Sequence, residues 1–384
     1  MTQFSQPTVR LGIIGGGQLA RMTVPRAKQL GCSVTVLDPT PDSPGMQMAD
    51  RRIVGAFDDS AALHELATSC DVTTFDIETV ETSILEALAA DGVRIVPSPR
   101  LLSTVQDKLA QKRAYEAKGI PTAPFAALDT PSLEAFEAFG FPLVQKARTG
   151  GYDGRGVAVL RSPDDLELAL PVPSLVERFI THEKELAVMV ARGLTGETAV
   201  YPVVEMVFDP RANILDELLA PARIDAELVR AAQELAIRTV EALDGVGVFG
   251  VELFSTPGGE LLVNEIAPRT HNSGHYTIEA CVTDQFEQQV RAIMGLPLGS
   301  TEQLRPAALR NLLGAPESVA GATMVHGLDE ALALDGVAVH LYGKAQSRPF
   351  RKMGHVTAIA DTLETARERA ARAAELLVIE GSEG

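Results

Sequence analysis

Two glutamates in the second half of the sequence have a spacing that suits a metal ion. Glu252 and Glu265 lie on two apolar runs separated by the turn-forming segment Thr256-Pro257-Gly258-Gly259. This pattern predicts a β-hairpin with the two carboxylates on adjacent strands. Two acids among apolar strand positions repel each other unless a cation lies between them. The pair indicates a Mg²⁺ site, since this ion takes a few carboxylates together with substrate phosphates; two unpaired surface glutamates are the alternative.

A glycine-rich segment from Arg148 to Gly156 indicates a phosphate-binding loop. Four of its nine residues are glycine, and apolar runs flank it, which predicts two strands joined by a flexible loop. Backbone amides in such a loop can follow the oxygens of a triphosphate, with Lys146 at its root. Tyr152, Asp153 and Arg155 would point into the space that the loop closes. The alternative, a long disordered turn, does not explain the specific polar side chains.

The segment Pro268-Arg269-Thr270-His271-Asn272-Ser273-Gly274-His275 directly follows the second glutamate strand. It combines hydrogen-bond donors with one strong cation, the composition expected where an anion or an oxyanion is stabilised. A single histidine here would be typical of an ordinary loop. Arg269, His271 and Asn272 together, next to the proposed metal ligands, indicate a reacting centre.

Two further segments are candidates for binding a substrate phosphate. Gly15-Gly16-Gly17-Gln18-Leu19-Ala20 follows an apolar run and opens a helical segment, so its amides suit a phosphate. With Asp38 it also resembles a dinucleotide-binding turn, and tight strand-to-helix packing is a third interpretation. Near the C terminus, an acidic chain carries four cations within nine residues, which suits a phosphate or a solvated basic face: Lys344, Arg348, Arg351 and Lys352.

The elements that position these residues are predicted to form an α/β protein of three domains. Up to Val96, strand-like runs alternate with helical segments, which favours a parallel, doubly wound sheet broken at Pro97-Ser98-Pro99. A run at Val93 to Val96 is predicted as its last strand. We expect an N-terminal Rossmann-like domain at 1–106, a central α+β domain at 107–300 with a lid subdomain at about 122–190, and a small domain at 301–384.

Composition narrows the class of function. The 51 acidic and 34 basic residues give a formal charge of −17, which disfavours nucleic acid as a partner. Three widely spaced cysteines match no metal or redox motif and indicate reduced core residues. The sequence shows neither a signal peptide nor a membrane-spanning run, so we expect a cytoplasmic protein without a membrane partner.

Over almost its whole length the chain resembles the ATP-grasp superfamily and, within it, the N5-carboxyaminoimidazole ribonucleotide synthases of purine biosynthesis. The resemblance rests on the glycine turn, the loop at 148–156, the run Asn264 to His275, and Arg351-Lys352-Met353-Gly354-His355. It implies that ATP and bicarbonate form carboxyphosphate, and that its carboxyl group, or the CO2 released from it, is transferred to the exocyclic amine of 5-aminoimidazole ribonucleotide. It also implies Mg²⁺, a pre-ATP-grasp domain before the ATP-grasp domain, and a homodimer.

The resemblance implies a role for each matching residue. Glu252 and Glu265 would bind Mg²⁺, and the catalytic residues would be Asp153, Arg269, His271 and Asn272. Lysines would contact the ATP phosphates, Glu177 and the backbone through Ile180 would hold adenine, and Glu185 would accept the ribose hydroxyls. The ATP contacts would be Lys108, Lys146, Gly151, Tyr152, Asp153, Gly154, Arg155, Gly156, Glu177, Arg178, Phe179, Ile180, Glu185, Asn264 and Glu265. The ribonucleotide contacts would be Gly15, Gly17, Gln18, Leu19, Glu78, Tyr152, Arg155, Lys344, Arg351 and Lys352.

One position departs from the family pattern, and three other functions remain open. Many relatives carry a histidine shortly after Glu205, whereas here the run reads Glu205-Met206-Val207-Phe208, so no ATP contact is expected from it. A grasp ligase using formate or another carboxylate with a glycinamide substrate would share the glutamate pair and the loop. A nicotinamide dehydrogenase would use the glycine turn and Asp38. A nucleotide-binding sensor would bind without turnover.

Overall fold

The computed structural model describes residues 9–151, 156–209 and 214–382. The first part is a parallel sheet of four strands in the order β3-β2-β1-β4, as the alternating pattern predicts. Apolar side chains of β1 and β2 form its core together with those of the first helix. Its elements are β1 (Arg10–Ile14), α1 (Gln18–Gln29), β2 (Ser33–Asp38), β3 (Arg51–Val54), α2 (Ser60–Ser69), β4 (Val72–Phe75), α3 (Thr82–Ala90) and α4 (Pro99–Gln106).

The strand predicted at Val93 to Val96 does not form. This segment makes only an isolated parallel bridge between Ile95 and Thr73 of β4. The pairing stops there because Pro97 follows directly, and proline has no backbone N–H to donate. Ser98 then caps α4, its side chain accepting a hydrogen bond from the amide of Leu101.

A second, antiparallel sheet follows, which we call the lid sheet, with strand order β5-β8-β6-β7. In it β6 and β7 pair from Leu143 opposite Leu160 to Lys146 opposite Val157, which confirms the predicted pair of strands around the glycine-rich loop. A 3₁₀-helix at Pro163–Leu168 lies between β7 and β8. The elements are α5 (Lys108–Ala117), β5 (Phe125–Leu128), α6 (Leu133–Phe139), β6 (Leu143–Ala147), β7 (Val157–Leu160) and β8 (Ser174–Arg178).

The third sheet, which we call the large sheet, is antiparallel and begins with the predicted hairpin. The helix α7 packs on it because the helical spacing of Ala232, Leu235, Ala236, Thr239 and Val240 gives one apolar face. The elements are β9 (Lys184–Arg192), β10 (Thr198–Val200), β11 (Val204–Asp209), β12 (Ile214–Ala220), α7 (Ala226–Ala242), β13 (Gly247–Ser255), β14 (Leu261–Ala267), α8 (Thr277–Ala280) and α9 (Gln285–Met294).

The C-terminal segment continues the large sheet, an arrangement that the sequence pattern did not predict. Strand β12 pairs with the first C-terminal strand, which gives nine strands in the order β14-β13-β9-β11-β12-β15-β19-β17, with β10 on β9. Three short strands, β18-β16-β20, form a separate sheet. The elements are β15 (Ala307–Leu313), β16 (Gly321–His326), α10 (Leu328–Leu332), β17 (Val337–Leu341), β18 (Gln346–Ser347), β19 (Lys352–Ile359), α11 (Leu363–Leu376) and β20 (Val378–Ser382). Among the described helices, none is long and apolar enough to cross a membrane.

Candidate active site

The predicted glutamate pair lies on one face of the large sheet. Glu252 of β13 and Glu265 of β14 are direct cross-strand partners, which confirms the hairpin. Because side chains alternate along a strand, Gly250 and Phe254 lie on the same face of β13 as Glu252. A β-carbon at Gly250 would come within 2.7 Å of the His271 Cβ, so glycine leaves the room in which His271 packs.

Charged neighbours compensate the two carboxylates unequally. Lys108 at the start of α5 places its Nζ 2.5 Å from Glu265 Oε2, and this charge holds the pKa of Glu265 below its usual range. Burial raises the pKa of Glu252, and the negative charges of Glu265 and Glu185 add to that rise. The His271 Nε2 lies 3.6 Å from the Glu252 Oε1. Two opposed carboxylates, stabilised here by a lysine, are the hard oxygen ligands that Mg²⁺ takes alongside phosphates, so the residues fit this ion.

Behind this pair lies a buried chain of ionic contacts that the sequence analysis did not anticipate. Glu177 of β8 is only 3 % exposed, with Lys112 Nζ 3.2 Å from one carboxylate oxygen and Lys146 Nζ 3.0 Å from the other. Lys146 also donates to Asn264 Oδ1 at 2.9 Å. The carboxylate of Glu177 therefore orients Lys146. The adenine contact expected of Glu177 and the backbone that follows it stays a prediction.

Replacing Lys112 with methionine is expected to lower the free energy of unfolding by about 3 kcal/mol, because it removes one of the two charges that compensate buried Glu177. Burial already lowers the pKa of Lys112 to about 8, so the Glu177 contact is what keeps this lysine charged. Urea unfolding measures the loss. The matched control is Arg113→Met on the exposed side of the same helix, expected to change stability by less than about 0.5 kcal/mol. Equal unfolding midpoints for the two variants would show that the buried contact is unimportant.

The polar loop after β14 connects three parts of the chain. Arg269 places Nη2 2.7 Å from Glu78 Oε1, which follows β4 of the N-terminal sheet. Asn272 and Asn311 of β15 exchange amide hydrogen bonds of 3.1 and 2.7 Å. His271 lies between Arg269 and Asn272 in sequence, with its Nδ1 2.9 Å from the Ser273 Oγ. Asn311 has no local sequence signal, because only the continuation of the large sheet brings β15 next to this loop.

The glycine turn does not present all its amides to a ligand. Gly15 donates to the Leu37 carbonyl, and the amides of Gly17 and Ala20 each donate to Asp76 Oδ2 at 3.0 Å. Protein oxygens therefore accept from both amides, and the ribonucleotide contacts expected of Gly15 and Gly17 stay a prediction. Asp76 is half-buried, and the loss of hydration there raises its pKa to about 7.

The two residues that follow the glycines differ in exposure. The side chain of Leu19 is buried and that of Gln18 is half-buried. The Gln18 side chain and the backbone at Gln18 and Leu19 are what the turn can offer. Asp38 accepts from the amides of Gly16 and Thr40, so it is committed to the turn and does not act as a ribose-binding acid.

The C-terminal basic segment meets the N-terminal sheet. Gln47 donates to the Gly343 carbonyl at 3.1 Å. Lys344 donates to the Lys352 carbonyl at 2.7 Å, and Arg351 donates to the Gln346 carbonyl at 2.6 Å. The positive charge of Lys352 offsets part of the rise in the pKa of Glu252. Arg348 is exposed, so the four cations do not form one compact cluster.

The remaining predicted ATP contacts lie where the lid sheet joins the large sheet. Residues 179–183 connect β8 to β9, and Glu185 of β9 is opposite Phe254 of β13. Phe179 and Ile180 are half-buried, and Arg178 is exposed. Gly151 and Gly156 flank the loop, whereas Tyr152, Asp153, Gly154 and Arg155 lie outside the described residues.

A lid sheet over a large antiparallel sheet, with an acid pair at the junction and a parallel sheet before it, defines an ATP-grasp ligase. Family models agree: residues 8–106 match the ribonucleotide synthetase preATP-grasp domain, 113–286 the ATP-grasp domain, and 307–369 the phosphoribosylaminoimidazole carboxylase C-terminal domain. The chain is 45 % identical to the N5-carboxyaminoimidazole ribonucleotide synthase of Synechococcus elongatus, over 91 % of this chain and 89 % of the relative. The chain belongs to the N5-carboxyaminoimidazole ribonucleotide synthase family.

Solved structures of this family superpose on nearly the whole chain. The N5-carboxyaminoimidazole ribonucleotide synthetase of Thermotoga maritima has a TM-score of 0.90 at 48 % identity, covering 98 % of this chain and 100 % of that one. The synthase of Aspergillus clavatus, in complex with ADP and 5-aminoimidazole ribonucleotide, has a TM-score of 0.87 at 36 % identity, covering 96 % and 98 %. The three-part architecture expected from the sequence is confirmed.

Proposed function

We propose that this protein uses ATP to carboxylate 5-aminoimidazole ribonucleotide with bicarbonate in de novo purine (IMP) biosynthesis. The products are N5-carboxyaminoimidazole ribonucleotide, ADP and phosphate. The main support for this proposal is that two groups of residues are neighbours. One is the glutamate pair beside Lys108, and the other is the loop from Arg269 to Asn272, which contacts Glu78 and Asn311. An ATP site alone would suit many ligases, and the polar loop adds a place for a small anion.

On the ATP side, Glu252 and Glu265 would hold Mg²⁺, which supplies charge compensation for the phosphates when bound. Lys108 and Lys146 contact the phosphates, and Asn264 orients Lys146 through its 2.9 Å hydrogen bond. A bicarbonate oxygen forms a bond to the γ-phosphorus, and the bond from that phosphorus to the ADP oxygen breaks. The result is carboxyphosphate, which the half-buried cleft keeps from hydrolysis.

On the substrate side, the exocyclic amine attacks the carboxyl carbon, phosphate leaves, and the amine loses a proton. Arg269, His271 and Asn272 hold bicarbonate and the charge that develops on it. The backbone at Gln18 and Leu19, with Gln18's side chain, faces the ribonucleotide phosphate from one side. Lys344, Arg351 and Lys352 face it from the other. The family resemblance further supports a catalytic role for Asp153. It also supports contacts of Tyr152 and Arg155 with ATP and the ribonucleotide.

We expect ADP to accumulate at the full rate only when ATP, bicarbonate and 5-aminoimidazole ribonucleotide are all present, because the polar loop and the basic segment are built for the last two. A coupled assay of ADP release, with each component omitted in turn, measures this. ADP release driven by formate would contradict the assignment. Binding of nucleotide without any turnover would instead support a sensor.

A nicotinamide dehydrogenase is disfavoured by the glycine turn itself, where carboxylates of the protein accept from the amides of Gly16 and Gly17. We also propose that the protein has domains at 1–106, 107–300 and 301–384, forms a homodimer and is located in the cytoplasm. Family membership supports the dimer, and sedimentation velocity tests it. The acidic charge of −17 supports the absence of a nucleic-acid partner.

A further inference from the structure

A histidine that belongs to none of the expected site residues lies in the connection between the lid sheet and the large sheet. His182 stands two residues after Ile180 and three before Glu185, in the segment that leads from β8 to β9. Its imidazole is stacked on the ring of Phe254, with centroids 4.8 Å apart and an interplanar angle of 14°. Phe254 is on β13, two positions from Glu252 and on the same face of the large sheet.

Both nitrogens of this imidazole face oxygen acceptors. Nδ1 lies 3.2 Å from the Ile180 carbonyl oxygen, and Nε2 lies 3.2 Å from Glu185 Oε1. A carbonyl and a carboxylate both accept, so only the imidazolium, with a proton on each nitrogen, satisfies the two contacts together. A neutral ring satisfies one of them.

We propose that His182 is a positioning residue for the nucleotide: as an imidazolium it ties the linker carbonyl and the Glu185 carboxylate to the large sheet. This inference rests on the proposed function, in which Ile180 and Glu185 contact adenine and ribose. The stacked Phe254 fixes the ring in the plane that both contacts require. Because Ile180 precedes His182 and Glu185 follows it, one ring fixes the two ends of the nucleoside site relative to each other.

Among the described charged groups near His182, Glu185 contacts the imidazole and favours its charged form. Lys184, the neighbouring residue on β9, places its Nζ 3.0 Å from Glu205 Oε2, on the opposite side of the sheet from Glu185. Glu183 is exposed, and Glu252 is two positions from the stacked Phe254. The Glu185 contact raises the pKa of His182 above its ordinary value, although part of this rise is offset by burial.

The sign of the pH effect follows from this geometry. Below the raised pKa of His182, the imidazolium makes both contacts, and the Glu185 carboxylate is held in place. As the pH rises through that pKa, the ring keeps one proton and one contact is lost. We therefore expect nucleotide affinity to be highest on the acid side of this transition and to fall above it.

The experiment is calorimetric titration of the full-length protein with Mg·ADP at intervals from about pH 6 to about pH 9, together with KM for ATP. In His182→Phe, which keeps a ring on Phe254 and removes both donors, we expect the Kd of Mg·ADP to rise about tenfold at the acid end. That variant should also lose the pH dependence seen in the wild type. The KM for ATP should rise more than kcat falls.

Two further variants separate positioning from general damage. His182→Gln offers an amide donor to Glu185 and is expected to recover part of the affinity, again without the pH dependence. His64→Phe, on the exposed side of α2, is the matched control and should titrate like the wild type. A His182→Phe protein that binds Mg·ADP as tightly as the wild type at every pH overturns the inference. So does a wild-type affinity that is independent of pH.

This titration is independent of carboxylation. Wild-type protein that binds Mg·ADP but does not consume 5-aminoimidazole ribonucleotide contradicts the proposed reaction, and the effect of His182 on nucleotide binding is then still decided by the calorimetry. Loss of folding in His182→Phe would be seen by circular dichroism. The His182→Gln protein then provides the test, and a pH dependence of Mg·ADP affinity like that of the wild type would be the contradicting result.

Discussion

Replacing Glu265 with glutamine is expected to lower kcat by about a thousandfold. This substitution removes one of the two cross-strand carboxylates. The Lys108 ammonium, which lies 2.5 Å from a Glu265 oxygen in the native protein, loses its closest carboxylate. Both the proposed Mg²⁺ ligand and the local charge balance are lost, while the size of the side chain is kept. Release of ADP at increasing Mg²⁺ concentration measures the effect, and calorimetry of Mg·ADP binding gives a reading independent of turnover.

The control for this substitution is Glu260→Gln, in the exposed turn of the same hairpin. It removes the same charge a few residues away, and its kcat should stay within about twofold of the wild type, since surface substitutions rarely perturb a fold. If Glu265→Gln retained activity within a few-fold at saturating Mg²⁺, the metal role of this residue would be wrong.

Replacing Arg269 with methionine is expected to lower kcat/KM for bicarbonate by about a hundredfold or more. The methionine keeps much of the aliphatic bulk but removes the cation next to the proposed bicarbonate site. It also leaves Glu78, 2.7 Å from Nη2 in the native protein, as a negative charge facing an anion. Initial rates of ADP release at varied bicarbonate measure the change. We expect the KM for ATP to change much less.

A second arginine pair of similar exposure provides the comparison. Arg291 and Glu287 on α9 form a 2.5 Å contact, and Arg291→Met there should leave the kinetics close to those of the wild type. Adding Glu78→Gln to Arg269→Met tests the charge argument directly. If Glu78 repels bicarbonate in the single variant, the double variant recovers part of the activity. An Arg269→Met protein with normal bicarbonate kinetics would remove this residue from the anion site.

Local sequence patterns were sufficient for the elements that carry the chemistry. The hairpin that pairs Glu252 with Glu265 follows from two apolar runs and a turn with two glycines, and the structure confirms it. The strands on either side of the glycine-rich loop were likewise predicted from apolar runs that flank glycines. The parallel N-terminal sheet was predicted from strand-like runs that alternate with helical segments. These features depend on residues that are near neighbours in the chain, so their periodicity is visible without the fold.

Partners that lie far apart in the chain were not predictable in the same way. Glu177 is only 3 % exposed, and burial favours pairing of its carboxylate with Lys112 and Lys146, which no local pattern indicated. Likewise, Asp76 accepts a hydrogen bond from the amide of Gly17, although the two residues are 59 positions apart in the chain. In both cases an acidic side chain and its partners meet only after folding.

The sequence by itself determined the class of the protein, the glutamate pair and the polar loop, because short runs of residues carry each of them. Only the tertiary structure decided which charged side chains pair with each other within the protein and which face the proposed active site. It joined the C-terminal strands to the large sheet. Asn311 is thereby hydrogen-bonded to Asn272, and the charge of Lys352 acts on Glu252. The physical reason is that burial makes an unpaired polar group costly, so long-range packing selects each pairing from many that the sequence allows.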